Sequence, residues 1–407
     1  MVGATHQNDG DQHVYKLQKD GMMNLIKSIE AATTTHENGQ YPFYVLDLGA
    51  VERAMNIWEL CLPQVRPFYA VKCNNEPTFL GALAKLGANF DCASRGEIEA
   101  VLRLGVRPER IVYANPCKVA AHIQYAAAAG VNLTTFDSMM ELEKVKKWHP
   151  KCKLLLRIKA PNDCKGSLRP LGKKFGALAD EVEPLLQYAA LFGLQVVGVS
   201  FHVGSIAEEP VIYRHAIAAA RAVFDVAAEL GMEPMQVLNI GGGFRAATQV
   251  FEEICDTVKS AITDYFPKEM AVTIIAEPGR YFAEKAFTLA TNVIGIRARG
   301  ERREYWINDG IYGSFSPTMH NSSLVSIKAA FCTPPVNEPP AIRSSVVYGP
   351  SCDSLDEVTA ASGEIMLPEL QLHDLLVFTN MGAYSKSVGT NFNGFDTFSI
   401  PTYIAYS

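Results

Sequence analysis

Lys72 ends an apolar run, FYAVKCN, where a lysine is out of place. Two readings fit it. The stem could lie along a rim and leave the ammonium in water. Alternatively the amine, desolvated by the run, could be a nucleophile that forms a Schiff base. A second run ends in three glycines, IGGGF at 240–244. These make either a tight turn or a place where backbone N–H groups meet an anion at close range. A third run ends in EPGRY, 277–281. Glu277 and Arg280 could form a rim salt bridge; otherwise Arg280 holds a phosphate and Glu277 pairs with a ring nitrogen. His202 closes the run in SFHVGS, and by itself reads as a structural histidine. Its position on the same rim as Lys72, Glu277 and Arg280 makes it a site candidate. Arg157 lies inside LLLRI, where a guanidinium needs a buried partner. Cys352 and Asp353 occupy the turn-rich YGPSCDSLDE, where a cysteine is ordinarily a small packing residue.

Eight apolar, β-rich runs carry these residues: 67–72, 89–94, 110–115, 132–137, 153–158, 195–204, 236–244 and 272–280. Between them lie stretches such as TFLGALAKLG, GEIEAVLRLG and AIAAARAVFDVAAELG, with apolar residues at helical spacing and glycine at the close. Strands that are almost continuously apolar are covered on both faces. Eight strand–helix units predict an α/β fold, a (β/α)8 TIM-like barrel, whose strand-end loops form the catalytic face. From about 285 the texture turns to β segments and turns, which predicts a mostly antiparallel second domain. The expected partition is an N-terminal arm, 1–40, joining the β domain; a barrel, 41–284; and a C-terminal β domain, 285–407. Residues 1–13 and the loop 160–176 are expected to be mobile, and the proline-rich 332–342 disordered.

Composition narrows the classes. The 407 residues are 48% hydrophobic and 20% charged, as in an ordinary globular protein. A net charge of −6 argues against a nucleic-acid partner. No apolar run reaches membrane-spanning length, and the N-terminal residues show neither a secretory nor a transit pattern, so a cytoplasmic address is expected. Nine cysteines without a C-x-x-C pair read as reduced thiols with no metal site.

The motifs PFYAVKCN, FDCASRGEIE, YANPCK, SFHVGS, IGGGF, AEPGRYF, NDGIYGSF, GPSCDSLDE and MGAYSKSVGTNFNGF follow one another from about residue 40 onward. In these the chain resembles the eukaryotic, plant-like ornithine decarboxylase family, fold-type-III enzymes that use pyridoxal 5′-phosphate. The resemblance implies a basic amino acid substrate and a head-to-tail homodimer with shared active sites. It implies that Lys72 carries the cofactor, Glu277 meets the pyridinium nitrogen and His202 stacks on the ring. Asp91 and Glu97 would support Lys72 and the ring surroundings, and Arg157 would lie near the cofactor's hydroxyl side. Ser205, Gly242, Gly243, Gly279, Arg280 and Tyr384 would complete the cofactor site, chiefly around the phosphate. Cys352, the proton donor to Cα, and Asp353 would come from the other subunit. Asp353, Asn321, Tyr312 and Phe392 would face the substrate.

Five departures from the family pattern surround this site. Asn321 and Ser322 replace an aspartate and a histidine, which weakens the grip on the substrate's distal ammonium. Ile206 replaces a glycine after HVGS, Asn239 an aspartate before IGGGF, and Arg245 a proline after it. The catalytic residues remain, so the expected activity is decarboxylation of ornithine or lysine to putrescine or cadaverine, in polyamine or alkaloid metabolism. An alternative couples decarboxylation to oxidative deamination or transamination, giving 1-pyrroline or 1-piperideine. A third reading is a catalytically inactive regulatory homologue.

Overall fold

Each of the eight apolar runs becomes a strand of one closed parallel barrel in the computed structural model. The structure describes residues 14–17, 21–33, 41–161, 166–169, 171, 173–246, 248–316, 326–331 and 340–407. In chain order the barrel strands are Val65–Ala70, Asn89–Cys92, Ile111–Tyr113, Leu133–Phe136, Lys153–Arg157, Gln195–Ser200, Val237–Asn239 and Thr273–Ala276. The eighth closes on the first through Ile274 opposite Val65. The register between the fifth and sixth shifts at Leu154 and Leu155, which face Val196 and Gly198. Phe68, Val112, Leu155, Val197 and Ile275 pack together although they come from five different strands. Only a filled barrel interior lets non-neighbouring strands meet this way.

Helices follow the strands, and several start on a side-chain cap. Ser94 accepts from the Glu97 N–H at 3.3 Å to open Arg95–Arg103, and Thr248 accepts from the Phe251 N–H at 3.1 Å to open Gln249–Tyr265. Glycines close several as expected; Gly105 and Gly231 donate back to Leu102 and Ala228. The long gap between the fifth and sixth strands holds the helix Ala179–Leu191. It also holds a short strand, Ser167–Arg169, which pairs antiparallel with Ser205–Ala207. The segment expected to be mobile, 160–176, thus carries sheet structure in its described part, because Ser205–Ala207 offers it an edge to pair with.

The second unit is a mixed sheet. Its strands run in the order Val14–Lys16, Thr402–Tyr406, Phe43–Asp47, Phe287–Arg299, Arg302–Ile307, Ile342–Tyr348, Ile365–Pro368. Leu375–Thr379 joins Phe287–Arg299 to Ser326–Ala330. Parallel pairings stand among the antiparallel ones: Val14–Lys16 lies parallel to Thr402–Tyr406, and Arg302–Ile307 to Ile342–Tyr348. The helix Gly21–Thr33 packs Leu25, Ile26 and Ile29 against Phe43, Val45, Leu375 and Val377. Contacts divide the chain into 1–53 with 283–407, and 54–282. The boundary expected at residue 41 therefore falls later, because Phe43–Asp47 pairs with Phe287–Ala290 and Thr402–Ala405 instead of entering the barrel. Residues 1–13 and 332–339 lie outside the described residues, and Ile342 already begins a strand.

Candidate active site

Parallel strands of a barrel all end on the same rim, so a polar residue at each strand end is brought to one place. Lys72 lies in the single turn Val71–Cys73 after the first strand. Its Nζ donates to Asp91 Oδ2 at 2.5 Å, and Asp91 belongs to the second strand and is fully buried. The amine therefore turns to a buried carboxylate rather than simply running out to water. The other Asp91 oxygen, Oδ1, is buried without a hydrogen-bond partner, a costly state that a bound group would relieve. Arg157, the last residue of the fifth strand, is buried and feels the charges of Glu277, Asp137 and Asp91.

Glu97 has a second task. Its Oε2 accepts from the Ala93 N–H at 2.5 Å while its own N–H donates to Ser94, so it also caps the helix that starts there. Burial raises its proton affinity, the Ala93 N–H opposes this, and Asp91 adds to it.

His202 follows the sixth strand. Burial, then the charges of Arg157 and Lys72, hold its imidazole well below the ordinary histidine range, so it is neutral. Its Nδ1 accepts from the Gly204 N–H at 3.0 Å, which leaves the ring proton on Nε2. That nitrogen faces Gly242. A Cβ on Gly242 would stand 2.8 Å from Nε2 and 2.7 Å from the Glu277 carbonyl oxygen, so no side chain fits there.

Glu277 directly follows the eighth strand. Burial raises its pKa to about 7, with Asp91 adding to the effect and Lys72, Arg157 and the Asn239 amide opposing it. Arg280, nearly fully buried, opens the short helix Arg280–Ala283. Behind both loops lies an aromatic anchor. Phe244, which ends the glycine run, and Tyr281, which follows Arg280, each pack edge-on against Trp58 at 5.1 Å. Tyr213 adds a hydroxyl that donates to the Gly242 carbonyl at 2.8 Å. Ser205 starts the strand Ser205–Ala207, and the Ala207 N–H donates to the Gly243 carbonyl at 3.0 Å.

Asn239 gains a site role that its motif alone does not assign. It ends the seventh strand, is fully buried, and donates from Nδ2 to Glu277 Oε1 at 2.6 Å. The signal that could have found it is the one that singles out Arg157: a polar residue at the end of an apolar strand.

A second group forms within the sheet unit. Tyr312 donates its phenol hydrogen to Asp353, which holds that carboxyl below the usual range. The Tyr312 and Phe392 rings lie in contact, tilted by 36° with centroids 4.3 Å apart. Cys352 is exposed, and its N–H donates to Asn393 Oδ1 at 2.9 Å. A cavity of ≈ 300 Å³ in this unit is lined by Tyr312, Phe392 and Ser351 among others. Tyr384 also belongs here, with φ +56. Asn321 and Ser322 lie outside the described residues.

The barrel residues fit pyridoxal 5′-phosphate. Lys72 offers an amine for its aldehyde. Glu277 offers a carboxyl for its ring nitrogen, and Ser205, Arg280 and the glycine N–H groups offer donors for its phosphate. The tight Gly242 and the unsatisfied Asp91 oxygen show a site shaped for a close-fitting polar group.

A family model described as pyridoxal-dependent decarboxylase, pyridoxal binding domain, matches residues 48–284. The chain is 50% identical over 418 residues to a chloroplastic ornithine decarboxylase of Nicotiana glauca, covering 100% of this chain and 93% of that one. Its fold matches the arginine decarboxylase of Paramecium bursaria Chlorella virus with a TM-score of 0.85, at 37% identity over 94% of this chain and 100% of that one. It matches the lysine/ornithine decarboxylase of Vibrio vulnificus, solved with cadaverine, with a TM-score of 0.81, at 29% identity over 95% and 99%. Among the described residues, no helix is long and apolar enough to cross a membrane.

Proposed function

From the premise that this chain belongs to the pyridoxal-dependent decarboxylases of the ornithine decarboxylase family, we propose how its residues divide the work. The chain is an enzyme that decarboxylates a basic L-amino acid with pyridoxal 5′-phosphate. Ornithine or lysine is the substrate, and putrescine or cadaverine the product. The observation that carries the assignment of roles is the meeting of Lys72, Asp91, His202, Glu277 and the glycine loop at one barrel rim.

Pyridoxal 5′-phosphate, when bound, supplies a cationic ring system that accepts the electrons of the breaking Cα–carboxylate bond. The chain does the rest. Lys72 would hold the cofactor through its amine, which Asp91 keeps in place with its buried carboxylate. Glu277 would pair with the ring nitrogen and favour its protonated form. His202, neutral and pinned by the Gly204 N–H, lays an uncharged ring beside the site without competing for the phosphate. Arg280, Ser205 and the Gly242–Gly243 backbone grip the phosphate.

Two copies form the working dimer, and Cys352 and Asp353 of one copy serve the barrel of the other. The Asp353 carboxylate, kept ionised by Tyr312, receives the distal ammonium of the substrate. The exposed Cys352 thiol delivers a proton to Cα, which fixes the product as the amine. The expected cytoplasmic address stands against the chloroplastic name of the Nicotiana glauca relative; fractionation of the native protein decides it.

Purified protein with cofactor and L-ornithine or L-lysine is expected to release CO2 and diamine in equal amounts. Hydrogen peroxide and cyclic imine in place of diamine would overturn this reading. Lys72→Ala is expected to abolish turnover and the covalent cofactor link; an unchanged absorbance spectrum would refute its role.

A further inference from the structure

We propose that Asn239 is a positioning residue for Glu277: its carboxamide aims one oxygen of that carboxyl at the cofactor's ring nitrogen and ties it to the glycine loop. The inference rests on the reading of Glu277 as the partner of that nitrogen. Three hydrogen bonds close a ring. Asn239 Nδ2 donates to Glu277 Oε1 at 2.6 Å. The Gly241 N–H donates to Asn239 Oδ1 at 2.9 Å. The Glu277 N–H donates to the Gly241 carbonyl at 2.7 Å. The ring joins the end of the seventh strand, the first residue of the glycine loop after Ile240, and the end of the eighth strand.

This ring settles which way the amide points. A backbone N–H can only donate, so the oxygen of Asn239 must face Gly241 and the nitrogen must face the carboxyl. Gly241 itself has φ +65, and a Cβ there would stand 2.3 Å from the Phe201 carbonyl oxygen. The loop residue that orients Asn239 is therefore held in a conformation that glycine alone supplies without strain. With Oε1 engaged, the second oxygen of Glu277 is the one presented to the cofactor.

The amide also suits the local charge. The charged groups that face Glu277 are Asp91, Lys72 and Arg157, with neutral His202 beside the loop. Burial and Asp91 already favour the protonated form of Glu277. A carboxamide donates to the ionised form and adds no negative charge. An aspartate in its place would be a second carboxyl against the first, and the pair could stay close only by sharing a proton. The strand end thus couples the ring-nitrogen contact to the phosphate cradle through one side chain.

The test uses the full-length protein stripped of cofactor and titrated with pyridoxal 5′-phosphate across the neutral pH range. Binding to a cationic ring nitrogen needs the carboxylate, so affinity falls as pH drops through the Glu277 transition. Asn239→Ala is expected to weaken cofactor affinity by about ten- to a hundredfold, the size of one hydrogen bond to a charged group. Asn239→Asp keeps the shape and the acceptor for the Gly241 N–H. It is expected to move the pH midpoint of cofactor binding upward by about one unit, the effect of a like charge at contact. Affinities within about twofold of the parent and unmoved midpoints in both variants would overturn the proposal. A lower melting temperature with an unmoved midpoint would overturn it too, since a merely structural residue behaves that way. If Asn239→Ala does not fold, the Asn239→Asp midpoint decides between these outcomes. Glu277→Gln separates the two levels of the reading. Unchanged affinity in that variant would refute the role of Glu277 itself. A loss there, with none in the Asn239 variants, would refute only the role of Asn239.

Discussion

The ionisation of single groups decides how this site behaves before any cofactor enters. Glu277 binds its proton more tightly in the folded chain, at about 7, than its ordinary value of 4.5. Between those two values the folded chain keeps a proton that the unfolded chain has released. The stability this contributes is fully present below pH 4.5 and is lost as pH rises through about 7. By linkage one such group accounts for about 3 kcal/mol. Glu277→Gln has no such proton to lose. The cofactor-free variant is therefore expected to show a flatter fall in stability over that window, read from urea midpoints at successive pH values. A parallel curve for parent and variant would contradict a buried, proton-holding Glu277. His202 acts in the opposite sense: its folded imidazole stays uncharged while an unfolded one takes up a proton near 6.5, so its contribution is present above that pH and is lost as pH falls below it.

At the scale of elements, the loops proposed to hold the phosphate are stiffened by packing and strained at one point. The aromatic contacts of Phe244 and Tyr281 with Trp58 anchor the two motifs from behind. Ile206, where the family pattern has glycine, sits in the short strand beside Ser205 with φ +59 and is buried. A β-branched residue is rarely held in that left-handed region, and the cost is about 1–3 kcal/mol. Removing the side chain down to alanine leaves the strain in place; removing it down to glycine relieves it. Ile206→Gly is therefore expected to be more stable than Ile206→Ala by about 1 kcal/mol, the reverse of the order in ordinary strands. Denaturant melts of the two variants check this, and an alanine variant as stable as the glycine one would show that the strand does not hold φ there.

At the scale of the whole molecule, the proposal that each site draws on two copies of the chain makes a direct prediction. Lys72 belongs to the barrel unit and Cys352 to the sheet unit. If each site draws Lys72 from one copy and Cys352 from the other, Lys72→Ala and Cys352→Ala are each close to inactive, and mixing them rescues activity. Random reassortment makes half of the dimers mixed, with one intact site of two, so about a quarter of parental activity is expected to return. No recovery after subunit exchange would place each site within a single copy. Much of the barrel was legible in the sequence because its signals are local. Continuous apolar runs, helical spacing and closing glycines act over a few residues, and parallel closure then forces every strand end onto one rim. Lys72, Arg157, His202 and Glu277 could be picked out for that reason: each is polar where its run is apolar. Other features depended on which distant segments pair. Phe43–Asp47 reads like any buried strand, yet its partners Phe287–Ala290 and Thr402–Ala405 place it in the sheet. The meeting of Tyr312, Asp353 and Phe392 joins turns far apart in the chain. The grip of Asn239 on Glu277 spans 38 positions and exists only because the seventh and eighth strands lie side by side. The sequence by itself determined the strand count and the chemistry available at each strand end, since hydrophobic periodicity and residue type are local properties. Tertiary structure alone decided which of those groups share a hydrogen bond, because that depends on strand register, which no short stretch of chain encodes.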